Sequence, residues 1–200
     1  KEIYHTFIKH LIEIGRAYPC FCTKEDLEEL RSKQELRKFR TGYYDKWAKC
    51  RILPVEEQIN KIKNGEEYVI RFRSNGNFDN KFRIDDLVKG TLELPENDED
   101  FVIMKSGDKL PTYHFAHLVD DYLMHTTHVV RGEEWLSSVP FHVELFRTLD
   151  VKAPKYIHTP LIMKKESDGK LRKISKRKDP EANMSYYREH GYPIEAVIES

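Results

Sequence analysis

The chain has no apolar run near the ~20 residues that a membrane-spanning helix needs, so no helical span is expected. No basic-then-apolar leader is visible at its start, and no secretory signal is read there. Only three cysteines occur in 200 residues. An odd number in a chain this long does not make a disulfide framework, and a reduced, cytoplasmic setting is the simplest expectation. Neither charge is in excess: 34 basic side chains meet 34 acidic ones. A neutral balance gives no global attraction to nucleic acid, so any such attraction must be local. Internal repeats and low-complexity tracts are absent as well. What remains is 39% hydrophobic residues with 12% aromatics, enough for a core, under a surface supplied by 34% charged residues. The length suits one large domain or two small ones.

The pattern starts helical. Ile3, Phe7, Ile8, Leu11 and Ile12 share one face, and Gly15 ends the run. Tyr18 to Cys22 reads as extended. Thr23 with Asp26 forms a capping box for a helix over 24–38. Pro54 opens a helix with Val55, Ile59 and Ile62 inward and Asn64-Gly65 as its stop. The period then changes to that of strands: Tyr68 to Arg73, Phe82 to Asp85, Thr91 to Leu94 and Phe101 to Lys105, broken by turns at Ser74-Asn-Gly-Asn and Ser106-Gly-Asp and by the acidic loop Asn97 to Asp100. Beyond Pro111 a helix is expected over Thr112–Met124, then a buried apolar strand over Thr126–Arg131. A helix over Ser138–Leu149 and a strand over Lys155–His158 follow. Strand, helix, strand is the unit of a parallel sheet covered by helices, so the fold class is α/β. Asp179-Pro180 is expected to cap a last helix. The chain opens at Lys1 inside a helical pattern, lacks an initiator Met and stops soon after Ile194, so a piece of a longer protein is expected.

Two stretches could carry chemistry. Ligands of parallel sheets bind beyond the carboxyl ends of the strands. Arg131-Gly-Glu-Glu-Trp stands at such an end. Arg131 could pair with a carboxylate or phosphate in a fork, and Trp135 could stack on a nucleotide. The same run also reads as a strand-ending turn with a salt bridge and a core Trp. The second stretch is basic. Lys164 to Lys178 holds eight Lys or Arg against Glu166 and Asp168, beside the flexible-looking Ser167-Asp168-Gly169. Crowded like charges repel unless something negative visits them. A Lys on such a loop could neutralise a triphosphate as it separates, and Ser175 could donate to it. A solvated basic loop is the plainer alternative.

Lys173-Ile-Ser-Lys-Arg resembles the Lys-Met-Ser-Lys-Ser/Arg loop of class I aminoacyl-tRNA synthetases. Pro111-Thr-Tyr-His-Phe-Ala-His-Leu-Val-Asp-Asp, Val129-Val-Arg-Gly-Glu-Glu-Trp and His158-Thr-Pro-Leu-Ile follow in the order and spacing of the glutamyl-tRNA synthetase family. The resemblance runs from about Tyr18 to the end. It implies the second half of a Rossmann-like nucleotide-binding fold with an inserted α+β acceptor-binding domain. By it, residues 1–17 end the first Rossmann half and 18–110 are the inserted tRNA acceptor-binding domain. Residues 111–165 are the second Rossmann half, and 166–200 hold the signature loop and the start of a stem-contact domain. The family's His-Ile-Gly-His half-site, with an Arg and a Ser that grip glutamate, would lie upstream.

The resemblance further implies a glutamate–tRNA ligase that uses ATP and Mg²⁺, forms glutamyl-adenylate and charges tRNA(Glu), with this chain inactive alone. Tyr113 and Arg131 would contact glutamate. His117, where many relatives carry Asn, would be a further contact or simply a histidine packed on a helix face. Glu134 and Trp135 would hold ATP, with adenine against the backbone at Leu161 and Ile162. Lys173 and Lys176 would stabilise the reacting phosphates, and Asp121 would face the tRNA end. The alternatives are glutaminyl specificity, which the Arg131-Gly-Glu-Glu-Trp run disfavours, a synthetase-like paralogue that glutamylates a modified tRNA base, and a non-catalytic tRNA-binding module. Some members bind zinc in the insertion through a Cys-x-Cys pair. Cys20, Cys22 and Cys50 supply three of the usual four ligands, with no evident fourth, although Tyr43, Tyr44 or a nearby His could serve. The balance falls on half-buried cysteines without metal. A monomer without membrane contact is expected.

Overall fold

A computed structural model describes residues 1–199. Helix α1 (Glu2–Glu13) buries Ile8 and Leu11. It stops where Gly15 takes a left-handed φ of 72°, which glycine adopts without a Cβ penalty. Strand β1 (Ala17–Cys20) is buried along its length. The capping box forms as expected: the Thr23 hydroxyl accepts from the Asp26 N–H at 3.2 Å and the Asp26 carboxylate from the Thr23 N–H at 2.9 Å. Helix α2 (Lys24–Leu36) follows. Helix α3 (Val55–Lys63) starts after Pro54. Its apolar stripe faces out rather than in: Val55 is 69% exposed, and Ile59 and Ile62 are exposed as well. Periodicity reports that a helix has an apolar face, not that anything in the chain covers it.

Strands β2 (Val69–Phe72), β3 (Lys81–Asp86), β4 (Gly90–Pro95) and β5 (Val102–Met104) come next. They are followed by helix α4 (Tyr113–Leu123), strand β6 (His128–Gly132), helix α5 (Val139–Thr148) and strand β7 (Lys155–Thr159). A β1-β2-β5 antiparallel sheet packs on α1, α4 and α5 through Ile70, Phe72, Ile103, Phe115, Leu118, Leu145 and Phe146. A second sheet has the order β4-β3-β7-β6. In it β6 and β7 run parallel, joined by α5, from His128↔Lys155 to Gly132↔Thr159. The β3–β4 hairpin belongs by sequence to the 18–110 segment and by hydrogen bonding to this sheet, parallel to β7 at Asp86↔Tyr156. Glu144 on α5 adds a polar tie, accepting from Arg16 (2.8 Å), Ser74 Oγ (2.8 Å), the Asn75 N–H (2.8 Å) and Asn97 Nδ2 (2.7 Å).

Three further expectations change. Strand β6 is not buried: it has one neighbour, and Val130 is 64% exposed at the sheet edge. The stretch around Ser167-Asp168-Gly169 is a tight turn joining strands β8 (Met163–Lys165) and β9 (Leu171–Lys173). Gly169 supplies the positive φ of 85° and Asp168 accepts from the Lys170 N–H at 3.0 Å. Asp179-Pro180 opens only a 3₁₀ turn, Pro180–Ala182, before the short helices α6 (Met184–Glu189) and α7 (Ile194–Glu199). Asp179 makes no side-chain cap there because other donors have taken its carboxylate. Ser200, which the sequence reading includes in the final helical pattern, lies outside the described residues.

Candidate active site

Arg131 stands near the carboxyl end of β6, where the sheet sets it opposite His158 near the end of β7, and its side chain reaches Tyr113 at the start of α4. Its Nε–H donates to His158 Nε2 at 3.0 Å. Its Nη1 reaches Tyr113 OH at 3.3 Å and His142 Nδ1 at 3.4 Å, and its Nη2 reaches the Trp135 carbonyl at 3.4 Å. The guanidinium lies 5.1 Å from the Tyr156 ring centroid. Among the described residues no carboxylate comes within 4.0 Å of it. It is a cation held by one 3.0 Å bond to His158 and three longer contacts, with no carboxylate among them, and so is available to an anion.

Neutral histidines surround it. An arginine only donates, so His142 accepts at Nδ1, carries its proton at Nε2, and faces His114 Nδ1 at 3.1 Å. Burial first, then neighbouring His117 and Arg131, push the His142 pKa far down. Burial also lowers His114, with Arg131 adding to it. His117 bonds Tyr156 OH at 2.9 Å through Nε2 and pairs with Asp121 through Nδ1. Its pKa falls to about 4, because burial and then Arg131 outweigh the opposing pull of Asp121. Tyr113 stacks on His117 and packs on Trp135 with ring centroids 4.4 Å apart.

A 3₁₀ turn, Glu133–Ser138, follows Gly132. Glu134 Oε1 accepts from Lys173 Nζ at 2.8 Å, and that contact lowers the Glu134 pKa. Glycine at 132 permits this: a Cβ there would sit 2.0 Å from the Glu134 carboxylate. Glu133 holds Lys89 at 2.5 Å and receives the Leu161 N–H at 3.4 Å, while the Ile162 carbonyl accepts from the Ile174 N–H at 3.0 Å. Lys173, Ile174, Ser175, Lys176 and Ala182 line an open cavity of about 480 Å³. Lys176 is exposed, with no acceptor among the described residues. Buried Asp179 anchors this loop, taking two bonds of 2.6 Å from Arg172, one of 2.8 Å from the Ser175 N–H and one of 3.1 Å from Lys164. Arg172 first, then the Ser175 N–H, hold its carboxyl well below the usual range.

Of the expected site residues, the fold gathers Tyr113, His117, Asp121, Arg131 and Trp135 into one packed group, and joins Glu134 to Lys173. Leu161 and Ile162 come to the same side through Glu133 and Ile174. Sequence reasoning missed Asp86, His114, His142, His158 and Tyr156. His114 and His158 stood in quoted motifs, but Asp86, His142 and Tyr156 carry no local signal, because β3, α5 and β7 bring them in from distant segments.

A separate group sits between β1 and the 45–52 turns. The Sγ atoms of Cys20, Cys22 and Cys50 all lie within 4.8 Å of one another. Tyr43 OH is 3.5 Å from Cys20 Sγ and 3.2 Å from Cys22 Sγ. Hydrogen bonds from the Cys22 and Cys50 thiols push the Cys20 thiol pKa down, and the Cys20 contact pushes that of Cys22 up. Three thiols of the type zinc takes converge here, but the fourth neighbour is a phenol, which burial keeps protonated, and not the Cys, His or carboxylate that completes a structural zinc site. Each thiol also has a hydrogen-bond partner within the group.

Residues 1–200 match the family described as tRNA synthetases class I (E and Q), catalytic domain. The chain is 54% identical over 198 residues to the glutamate–tRNA ligase of Clostridium beijerinckii, an alignment covering 99% of this chain and 35% of that protein. With the ligase of Sorangium cellulosum it shares 44% identity over 212 residues, covering 99% and 37%. A crystal structure of the glutamate tRNA ligase of Elizabethkingia meningosepticum, in complex with its amino acid, superposes with a TM-score of 0.74 at 34% identity, covering 90% of this chain and 36% of that one. The Elizabethkingia anophelis synthetase gives 0.74 at 32% identity, covering 96% and 37%. The chain thus spans about a third of the length of these relatives. On the match across its whole length, the chain belongs to the family of class I tRNA synthetase catalytic domains of the glutamate and glutamine group.

Proposed function

We propose that the chain is part of the catalytic core of a glutamate–tRNA ligase. The observation that carries this is Arg131: a guanidinium at the carboxyl end of a parallel strand, lacking a counter-ion among the described residues, in the motif that the family resemblance marks. Arg131 pairs with a carboxylate of glutamate, and Tyr113 adds its hydroxyl. His117, held neutral, offers ring contact rather than charge. A glutamate carboxylate oxygen attacks the α-phosphate of ATP, giving glutamyl-adenylate and pyrophosphate. The terminal adenosine hydroxyl of tRNA(Glu) then displaces AMP. No protein nucleophile is needed, and catalysis is positioning plus electrostatic stabilisation.

Glu134 and Trp135 position ATP, with adenine against the backbone at Leu161 and Ile162. Lys176 faces the separating phosphates. Lys173 joins it by giving up or sharing Glu134. Mg²⁺ supplies further charge neutralisation when it accompanies the triphosphate. Asp121 turns toward the tRNA end, 18–110 serves the acceptor arm, and the exposed edge of β6 is where an upstream half of the nucleotide fold would add. Cys20, Cys22 and Cys50 are the residues that would hold a structural zinc, but with no usual fourth donor the group is read as packed cysteines without metal. The protein works in the cytoplasm as a monomer.

The test is amino-acid-dependent ATP–pyrophosphate exchange by the full-length protein with tRNA(Glu). Exchange with glutamate and not glutamine is expected. Exchange with glutamine alone would move the protein to the other branch. Binding of tRNA without exchange would leave a non-catalytic module. Glutamate activation with transfer to a modified base would indicate the paralogue.

A further inference from the structure

Arg131 is held most closely by a residue whose own state is fixed from behind. The Arg131 Nε–H meets His158 Nε2 at 3.0 Å. Arginine has no acceptor, so His158 must present a lone pair at Nε2 and carry its proton at Nδ1. His158 Nδ1 lies 2.7 Å from Asp86 Oδ2, and both side chains are 1% exposed. Asp86 is itself pinned: it accepts from the Val88 N–H (3.0 Å), the Lys89 N–H (3.0 Å) and the His158 N–H (3.1 Å). Burial, the largest single influence, favours its neutral form, but the bonds from Lys89, His158 and Val88 together hold its pKa down to about 2. The result is a one-way chain of donors: arginine to imidazole, imidazole to carboxylate. The carboxylate comes from the end of the β3–β4 hairpin, distant in sequence from Arg131.

We infer that Asp86 and His158 are positioning residues that set the orientation of Arg131 for the amino-acid carboxylate. The inference rests on the reading of Arg131 given above. Asparagine at 86 keeps the shape and reverses the logic. Its carbonyl oxygen would stay with the Val88 and Lys89 N–H groups, and its NH₂ would then face His158 Nδ1. Histidine would accept there and move its proton to Nε2, which would aim N–H at N–H across the 3.0 Å contact.

The experiment measures KM for glutamate and for ATP in pyrophosphate exchange by the full-length enzyme. The variants are Asp86→Asn, Arg131→Ala and the double variant. Asp86→Asn is expected to raise the glutamate KM about tenfold or more, the scale of one lost bond to a charged group, with ATP KM within about threefold of wild type. In the Arg131→Ala background it should add less than about twofold, because it acts through Arg131. Multiplying effects in the double variant, or equal rises in both KM values, would overturn the inference. A changed glutamate KM in Arg131→Ala with none in Asp86→Asn would also sink it while leaving the reading of Arg131 intact. No change in Arg131→Ala would sink that reading itself. Should Asp86→Asn fail to fold, the pair His158→Gln and His158→Asn decides. Gln can place an acceptor near the ring Nε2 position and Asn cannot, so a clearly smaller glutamate KM for Gln is expected, and equal losses would refute the positioning role.

Discussion

Arg131 and Lys176 are cations without carboxylate partners among the described residues, so each is free to pair with an incoming anion. Replacing Lys176 with Ala in the full-length enzyme is expected to slow adenylate formation by at least ~10²-fold, the scale of one lost transition-state donor. Single-turnover pyrophosphate release would measure it, and a near-normal rate would remove Lys176 from the chemistry. Gly132→Ala tests a subtler point. The new methyl must displace the Glu134 carboxylate that lies 2.0 Å away, which breaks the contact with Lys173. A raised ATP KM with unchanged glutamate KM is the expected result. His117 makes a pH prediction. Its folded pKa of about 4 lies below the ordinary 6.5. The unfolded chain therefore binds the proton more readily, and stability is full above pH 6.5 and falls as pH drops toward 4. The loss is of order 3 kcal/mol at ~1.4 kcal/mol per unit. Urea denaturation at pH 7 and pH 4.5 should show a smaller difference for His117→Gln than for wild type.

At the scale of elements, the loop of Lys173 to Lys178 owes its shape to Asp179 rather than to its own composition. The run of cations suggested mobility, but the β8–β9 hairpin and the four donors on one buried carboxylate hold it. Asp179→Ala should therefore speed trypsin cleavage within 173–178, and unchanged cleavage would show that the hairpin suffices. The capping box of α2 was fully legible, since Thr23 and Asp26 are three residues apart and need nothing else. The direction of α3's apolar face and the exposure of β6 were not legible. Both depend on what lies next to an element, and neighbours come from elsewhere in the chain.

At the scale of the molecule, the 18–110 segment and the 111–165 segment share a sheet, a core and the Glu144 tie. With an upstream half-site expected, the 200-residue chain alone should give no glutamate-dependent exchange while the full-length protein does. Activity of the chain alone would mean the site is complete without that half. The sequence by itself determined the α/β class and most elements, and its motifs, through a family resemblance, singled out Tyr113, Arg131, Glu134, Trp135, Lys173 and Lys176 as candidates. These were readable because capping, periodicity and motif spacing are local properties. Only the tertiary structure decided that Arg131 lacks a carboxylate partner, that Asp86 stands behind His158, that three cysteines meet Tyr43, and that β3 joins β7. Those facts depend on distances between residues far apart in the chain, and such distances are set when the sheets and core assemble.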